Sequence, residues 1–169
     1  GEESQYLNPM RVAHDAFEDK AFAASWGVRY VSLDELLAAS DFVSLHAPVT
    51  PETRHLINRD RLGRMKRSAY LINAARGGII DEAALGAVLR EQKIAGAALD
   101  VVADEPPAKN HPLMQLDNVL WTPHLGAVTL EASHRGEWGA AEEVIRVLES
   151  KRPKNPVVDA DEARLLLPA

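Results

Sequence analysis

Short apolar runs alternate along the chain with stretches in which apolar residues recur every three or four positions. The first pattern predicts strands and the second amphipathic helices. Strands are expected at 10–14, 28–31, 41–46, 69–74, 97–101 and 119–121, and helices at 18–26, 33–39, from Asn58 through Met65, from Asp81 to about Gln92, and at 128–148. Start and stop signals agree with these limits. Gly27 stops the first helix. Ser32-Leu-Asp-Glu35 reads as a capping box, with the Ser32 hydroxyl accepting from a free backbone N–H and Glu35 reaching back. Asn58 and Asp81 stand at cap positions, and Ala84, Leu85, Val88 and Leu89 fall on one helical stripe. Past Arg152, Pro153, Pro156 and Pro168 interrupt any period and predict an extended tail.

Strands apolar on both faces, alternating with helices, imply a parallel sheet covered on two sides. The expected fold is therefore a doubly wound α/β sheet. No internal repeat, low-complexity segment or linker interrupts it.

Composition narrows the chemistry. Of 169 residues, 46% are hydrophobic and 26% charged, enough for a buried core and against disorder. Lys and Arg total 19 against 25 Asp and Glu, so the acidic balance of −6 argues against nucleic acid as a partner. There is no Cys, hence no disulfide and no thiol nucleophile. No apolar run is long enough to cross a membrane, and Gly-Glu-Glu-Ser at the start has no signal-peptide character. His46, His55, His111 and His134 have no metal-ligand spacing, and no Gly-x-Ser-x-Gly elbow occurs. Arg61, Arg64, Lys66 and Arg67 read as a solvated helix face.

In a sheet of this kind, ligands bind beyond the carboxyl ends of the strands. The polar residues just after the apolar runs are Asp15, His46, Arg76, Asp100, Glu105 and His124. A carboxylate at Asp15 can accept from both ribose hydroxyls and would repel a 2′-phosphate. Arg76, in Asn-Ala-Ala-Arg-Gly-Gly, carries a planar fork suited to a substrate carboxylate, and the two glycines give the backbone freedom or close approach. A His beside a Glu forms an acid–base pair, so Glu105 and His124 are the natural candidates. Each residue also has an ordinary reading: Asp15 as a loop cap, Arg76 as a surface cation, His124 as a hydrogen-bonded loop histidine.

The order of these motifs is distinctive. Ser-Leu-Asp-Glu-Leu-Leu (32–37), Asp-Phe-Val-Ser-Leu-His-Ala-Pro (41–48) and Thr-Pro-Glu-Thr-Arg-His-Leu-Ile-Asn (50–58) come first. Leu-Ile-Asn-Ala-Ala-Arg-Gly-Gly-Ile-Ile-Asp-Glu (71–82), Gly-Ala-Ala-Leu-Asp-Val (96–101), Glu105-Pro106 and Thr-Pro-His-Leu-Gly-Ala (122–127) follow. Together they resemble the NAD-binding domain of the D-isomer-specific 2-hydroxyacid dehydrogenases, with a Rossmann-like fold. The resemblance implies NAD as cofactor, a small 2-oxo or 2-hydroxy acid as substrate, a homodimer and a cytoplasmic location. It implies that Arg76 holds the substrate, that His124 is the acid–base and that Glu105 is its carboxylate partner. It places Asp15, Ala47, Pro48, Ala74, Ala75, Asp100 and Gly126 against the cofactor.

Two departures set further expectations. No Gly-x-Gly-x-x-Gly turn precedes Asp15, and Glu2-Glu3-Ser4-Gln5 does not resemble the helix that should follow such a turn. Residues 10–150 are thus expected to form part of a dinucleotide-binding domain, and 151–169 a tail belonging to a substrate domain. This polypeptide alone is expected to bind NAD weakly and to be inactive. Two other readings fit the same motifs: an NAD(H)-sensing corepressor or scaffold, and a catalytically incompetent fragment.

Overall fold

A computed structural model of the protein describes residues 10–156. The opening nine residues and residues 157–169 of the expected tail lie outside the described part. The chain divides into two compact units, with the boundary between Gly126 and Ala127.

The first unit alternates strand and helix through β1 (Arg11–Ala13), α1 (Lys20–Trp26), β2 (Val28–Tyr30), α2 (Leu33–Ala39), β3 (Phe42–Leu45), α3 (Arg59–Leu62), β4 (Tyr70–Asn73), α4 (Glu82–Arg90), β5 (Gly96–Leu99) and β6 (Val119–Trp121). All pairings are parallel. β1 and β2 form one sheet, and β3-β4-β5-β6 form a second in chain order. In the larger sheet Leu45, Asn73, Leu99 and Trp121 stand in one row across the strands. That row marks the carboxyl edge, and the functional candidates lie just beyond it.

Helix positions follow from local chemistry. Asp19, Ser32, Asn58 and Asp81 each accept from the backbone N–H three residues on, which satisfies a donor left free in the first turn. The capping box at Ser32 is only half formed. Glu35 turns to the Arg29 guanidinium at 2.9 Å, because a charged partner outcompetes the backbone amide. Two short 3-10 turns, Gly77–Ile79 and Pro112–Gln115, lie between these elements. The basic run is partnered rather than merely solvated: Arg61 donates to Leu56 O, Arg64 meets Asp34, Lys66 meets Asp41 and Arg67 donates to Gln92 O.

One face of the four-stranded sheet is the core. Val43, Leu45, Leu71, Ala97 and Leu99 pack with Leu37 of α2, Leu62 of α3 and Leu85, Val88 and Leu89 of α4. Each fully buried Leu contributes about 1.5–3 kcal/mol, and this face anchors the strand ends. The opposite face presents exposed Phe42, Tyr70 and Leu120, with the Phe42 and Tyr70 rings stacked at 5.6 Å. Covering of both sheet faces therefore holds for one face within this unit.

In the second unit Thr129 caps α5 (Leu130–Leu148). The helix starts two residues later than its apolar pattern, because Thr129 supplies the cap. The residues after it turn back along it rather than extending: Arg146 donates to Arg152 O at 2.9 Å, and Glu143 accepts from the Lys154 N–H at 2.9 Å.

Candidate active site

The turn after β4 is built by Asn73, which is almost fully buried. Its side chain donates to Arg76 O at 3.0 Å and accepts from the Ala75 N–H at 3.1 Å. A buried amide must be satisfied on both ends, and here both ends shape the turn that presents Arg76. The guanidinium donates one bond to Ala75 O at 2.6 Å, which leaves most of its five N–H donors for a ligand. Next in chain, Gly77 is packed against the loop segment that follows β5. A β-carbon there would stand 1.9 Å from Val102 C and 2.2 Å from Ala103 N. Close approach, not a left-handed backbone, is therefore what requires glycine at this position.

Asp100 follows β5 directly and is buried. Oδ1 accepts from the Thr122 hydroxyl at 2.5 Å and from the Leu125 N–H at 2.8 Å, and Oδ2 accepts from the Gly126 N–H at 2.7 Å. The Thr122 and Leu125 bonds lead in holding this carboxyl below its ordinary value against the opposing effect of burial. Asp100 thereby ties together the loop after β6. That loop carries His124 with φ of +54°, a left-handed conformation costing about 1–2 kcal/mol for a residue with a β-carbon. The His124 N–H donates to Asp100 O at 2.9 Å, so Asp100 holds the strained residue through its carbonyl and the residues on either side of it through its carboxylate.

Glu105 closes the group. Its Oε1 accepts from the Val102 N–H at 3.2 Å, and its Oε2 lies 2.7 Å from His124 Nδ1. The His124 bond is the leading cause that lowers the Glu105 carboxyl, with further contributions from Val102 and the nearby Arg76 charge. An ionised carboxylate only accepts, so Nδ1 carries the proton and Nε2 is left for chemistry. The histidine side chain is about half exposed and its partner one third, so a small ligand can reach the ring.

Arg76, Glu105 and His124, separated in sequence, are thus brought to one place. Around them sit small side chains. Gly126 faces Ala74, and Val49, next to Ala47 and Pro48, lies against Gly78. Ala47 and Ala75 are half-buried against the core. Asp15 lies two residues past the end of β1 and accepts from the Phe17 N–H at 2.9 Å through Oδ1, a local turn that leaves its other oxygen without a bond among the described residues. No hydrogen bond or ion pair among the described residues ties Asp15 to the Arg76 group. Sequence reasoning anticipated a close approach at the two glycines but missed Asn73 and Thr122; a polar residue ending or following a buried strand, and so needing partners, was the available signal.

The parallel α/β sheet thus carries an arginine and a carboxylate-oriented histidine just beyond its carboxyl edge, where sheets of this kind bind ligands. Residues 5–126 match the family model described as "D-isomer specific 2-hydroxyacid dehydrogenase, NAD binding domain". The chain belongs to that family. It is 46% identical over 147 residues to a D-3-phosphoglycerate dehydrogenase of Methanocaldococcus jannaschii, covering 86% of this chain and 28% of the relative. It is 50% identical over 126 residues to a glyoxylate reductase of Thermofilum pendens, covering 75% and 37%. The crystal structure of the TT0316 protein from Thermus thermophilus superposes with a TM-score of 0.79 at 43% identity, covering 87% of this chain and 45% of that one. The chain therefore spans less than half the length of these relatives.

Proposed function

We propose that the protein carrying this chain transfers a hydride reversibly between NAD and C2 of a small D-2-hydroxy acid. The observation that carries this reading is the 2.7 Å contact between His124 Nδ1 and Glu105 Oε2 beside Arg76. The residues present suit the cofactor. Ala47, Pro48, Ala74, Ala75 and Gly126 offer small surface beside the acid–base group, and Asp15 offers a carboxylate oxygen for the ribose. Bound NADH supplies the hydride. Arg76 holds the carboxylate of the 2-oxo acid and stabilises the charge that develops on its carbonyl oxygen. His124, protonated on both nitrogens, gives the Nε2 proton to that oxygen, while Glu105 keeps the ring oriented and offsets its charge. In the oxidising direction His124 takes the proton back. Asp100 serves by fixing the His124 loop, since its oxygens already hold Thr122, Leu125 and Gly126.

The family resemblance supports a homodimer and a cytoplasmic location as part of this proposal. No helix among the described residues is long and apolar enough to cross a membrane. The test is NADH oxidation by the full-length protein with glyoxylate, hydroxypyruvate and pyruvate. Turnover of at least one, lost on His124→Ala, is expected; no oxidation with any 2-oxo acid overturns the reading.

A further inference from the structure

We infer that Glu82 is a positioning residue for Glu105, acting as a clamp that closes both ends of the loop that carries it. The inference rests on the acid–base role proposed above for the His124–Glu105 pair.

Glu82 opens α4 and touches no residue of the catalytic group directly. Its Oε1 accepts from the Ala103 N–H at 2.7 Å. Its Oε2 lies 3.3 Å from His111 Nε2, and both side chains are mostly buried, at 22% and 15% exposure. One carboxylate therefore grips the loop at Ala103 and again at His111. Glu105 lies within this span, two residues past the first grip.

The histidine at the far grip is set in one tautomer. His111 Nδ1 accepts from the Leu113 N–H at 3.4 Å, capping the 3-10 turn Pro112–Gln115. An Nδ1 that accepts leaves the ring N–H on Nε2, the atom that faces Glu82 Oε2. One member of each of two glutamate–histidine pairs, Glu105 and His111, thus lies on the connection between β5 and β6. His124–Glu105 faces the ligand side, and His111–Glu82 ties the loop to the helix. Glu82 also sits in the first turn of α4, where a negative charge is favoured by the helix dipole.

The grip matters because the adjacent backbone has no slack. The Ala103 amide held by Glu82 is part of the segment packed on Gly77, one residue from Arg76. The neighbouring Val102 N–H is the bond that orients Glu105 Oε1. Releasing Ala103 frees this segment to lift from Gly77 and carries Glu105 away from His124. The charged groups that bear on His124 are Glu105 and Asp100, with Arg76 acting on Glu105; only Glu105 rides on the clamped loop.

The experiment compares Glu82→Ala, Glu82→Gln, His111→Ala and His124→Ala in the full-length protein. It reads kcat, KM for NADH and thermal unfolding. Glu82→Ala is expected to lower kcat by about 10- to 100-fold, the scale of a small misplacement of a reacting group. KM for NADH stays within about twofold, since uniform binding is untouched. Glu82→Gln keeps an oxygen for the Ala103 N–H and recovers most of kcat. If Glu82→Ala does not fold, His111→Ala decides, with a fall in kcat in the same direction expected. An unchanged kcat in the folded variants overturns the inference, as does a loss confined to KM. A wild-type rate in His124→Ala instead overturns the acid–base reading itself, so the two failures are separable.

Discussion

The backbone of Val102 fills the space that a side chain on Gly77 would occupy: a β-carbon there would lie 1.9 Å from the Val102 carbonyl carbon. This contact joins the turn that presents Arg76 to the segment that orients Glu105. Two loops on neighbouring strands therefore share one surface, with no side chain between them.

Gly77→Ala should be costly where Gly78→Ala is mild. The first forces two backbone segments apart, at about 1–3 kcal/mol or more. At Gly78 the nearest atom to an added β-carbon would be a Val49 methyl at 3.5 Å, an ordinary contact, so a change within about 0.5 kcal/mol is expected. Urea unfolding of the two variants makes the comparison, and equal midpoints would show that the Gly77 contact yields freely.

His124→Ala removes the proton donor while leaving the Asp100 clamp on Leu125 and Gly126. A fall in kcat of about 10²- to 10⁴-fold is expected, the usual share of general acid–base catalysis. Binding of NADH, followed by fluorescence, should hardly change. A retained rate would take His124 out of the mechanism.

Asp15→Ala is expected to weaken NAD binding and relax discrimination against NADP, because the carboxylate that repels a 2′-phosphate is gone. The ratio of kcat/KM values for the two cofactors measures it. An unmoved ratio places ribose recognition elsewhere.

Acid should loosen the site in a defined direction. Asp100 and Glu105 lie below their ordinary values of 3.8 and 4.5 in the folded protein. The unfolded chain therefore binds more protons once the pH drops into that range. Stability from these groups is fully present above it and is lost as pH falls through the lowered folded values. Asp100→Asn should cost about 1–3 kcal/mol at neutral pH, since one of the amides at Leu125 and Gly126 then faces an NH2 group. It should also flatten the acid limb. Denaturant unfolding in steps of pH tests both, and an equally steep limb in the variant would count against Asp100 as its source.

What could be read from the chain divides by distance along it. The caps at Ser32, Asn58 and Asp81 reach only three residues, so residue type and spacing announce them. The doubly wound pattern was legible for the same reason, because strand and helix periods are local. The motif order pointed to Arg76, Glu105 and His124, but their meeting depends on β4, β5 and β6 lying side by side. Glu35 shows the limit on a small scale: its position predicted a bond back to the helix start, and Arg29 on β2 took it instead. Thr122 and Glu82 gave little local sign, since each acts on a residue roughly twenty positions away, and the two glycines announced a close approach but not its partner, Val102.

The shared row of Asn73, Leu99 and Trp121 gives the site a ruler. Arg76, Asp100 and His124 are each counted off from that row, one to three residues past it. A one-residue slip between any two of these strands turns every side chain of the slipped strand to the other face. The slipped sheet could still be compact and apolar inside, yet Asp100 would miss Thr122 and Glu105 would miss His124. Closure of the His124–Glu105 bond during refolding therefore reports alignment rather than collapse. A probe of that bond distinguishes correctly registered molecules from misaligned ones of the same size and helix content.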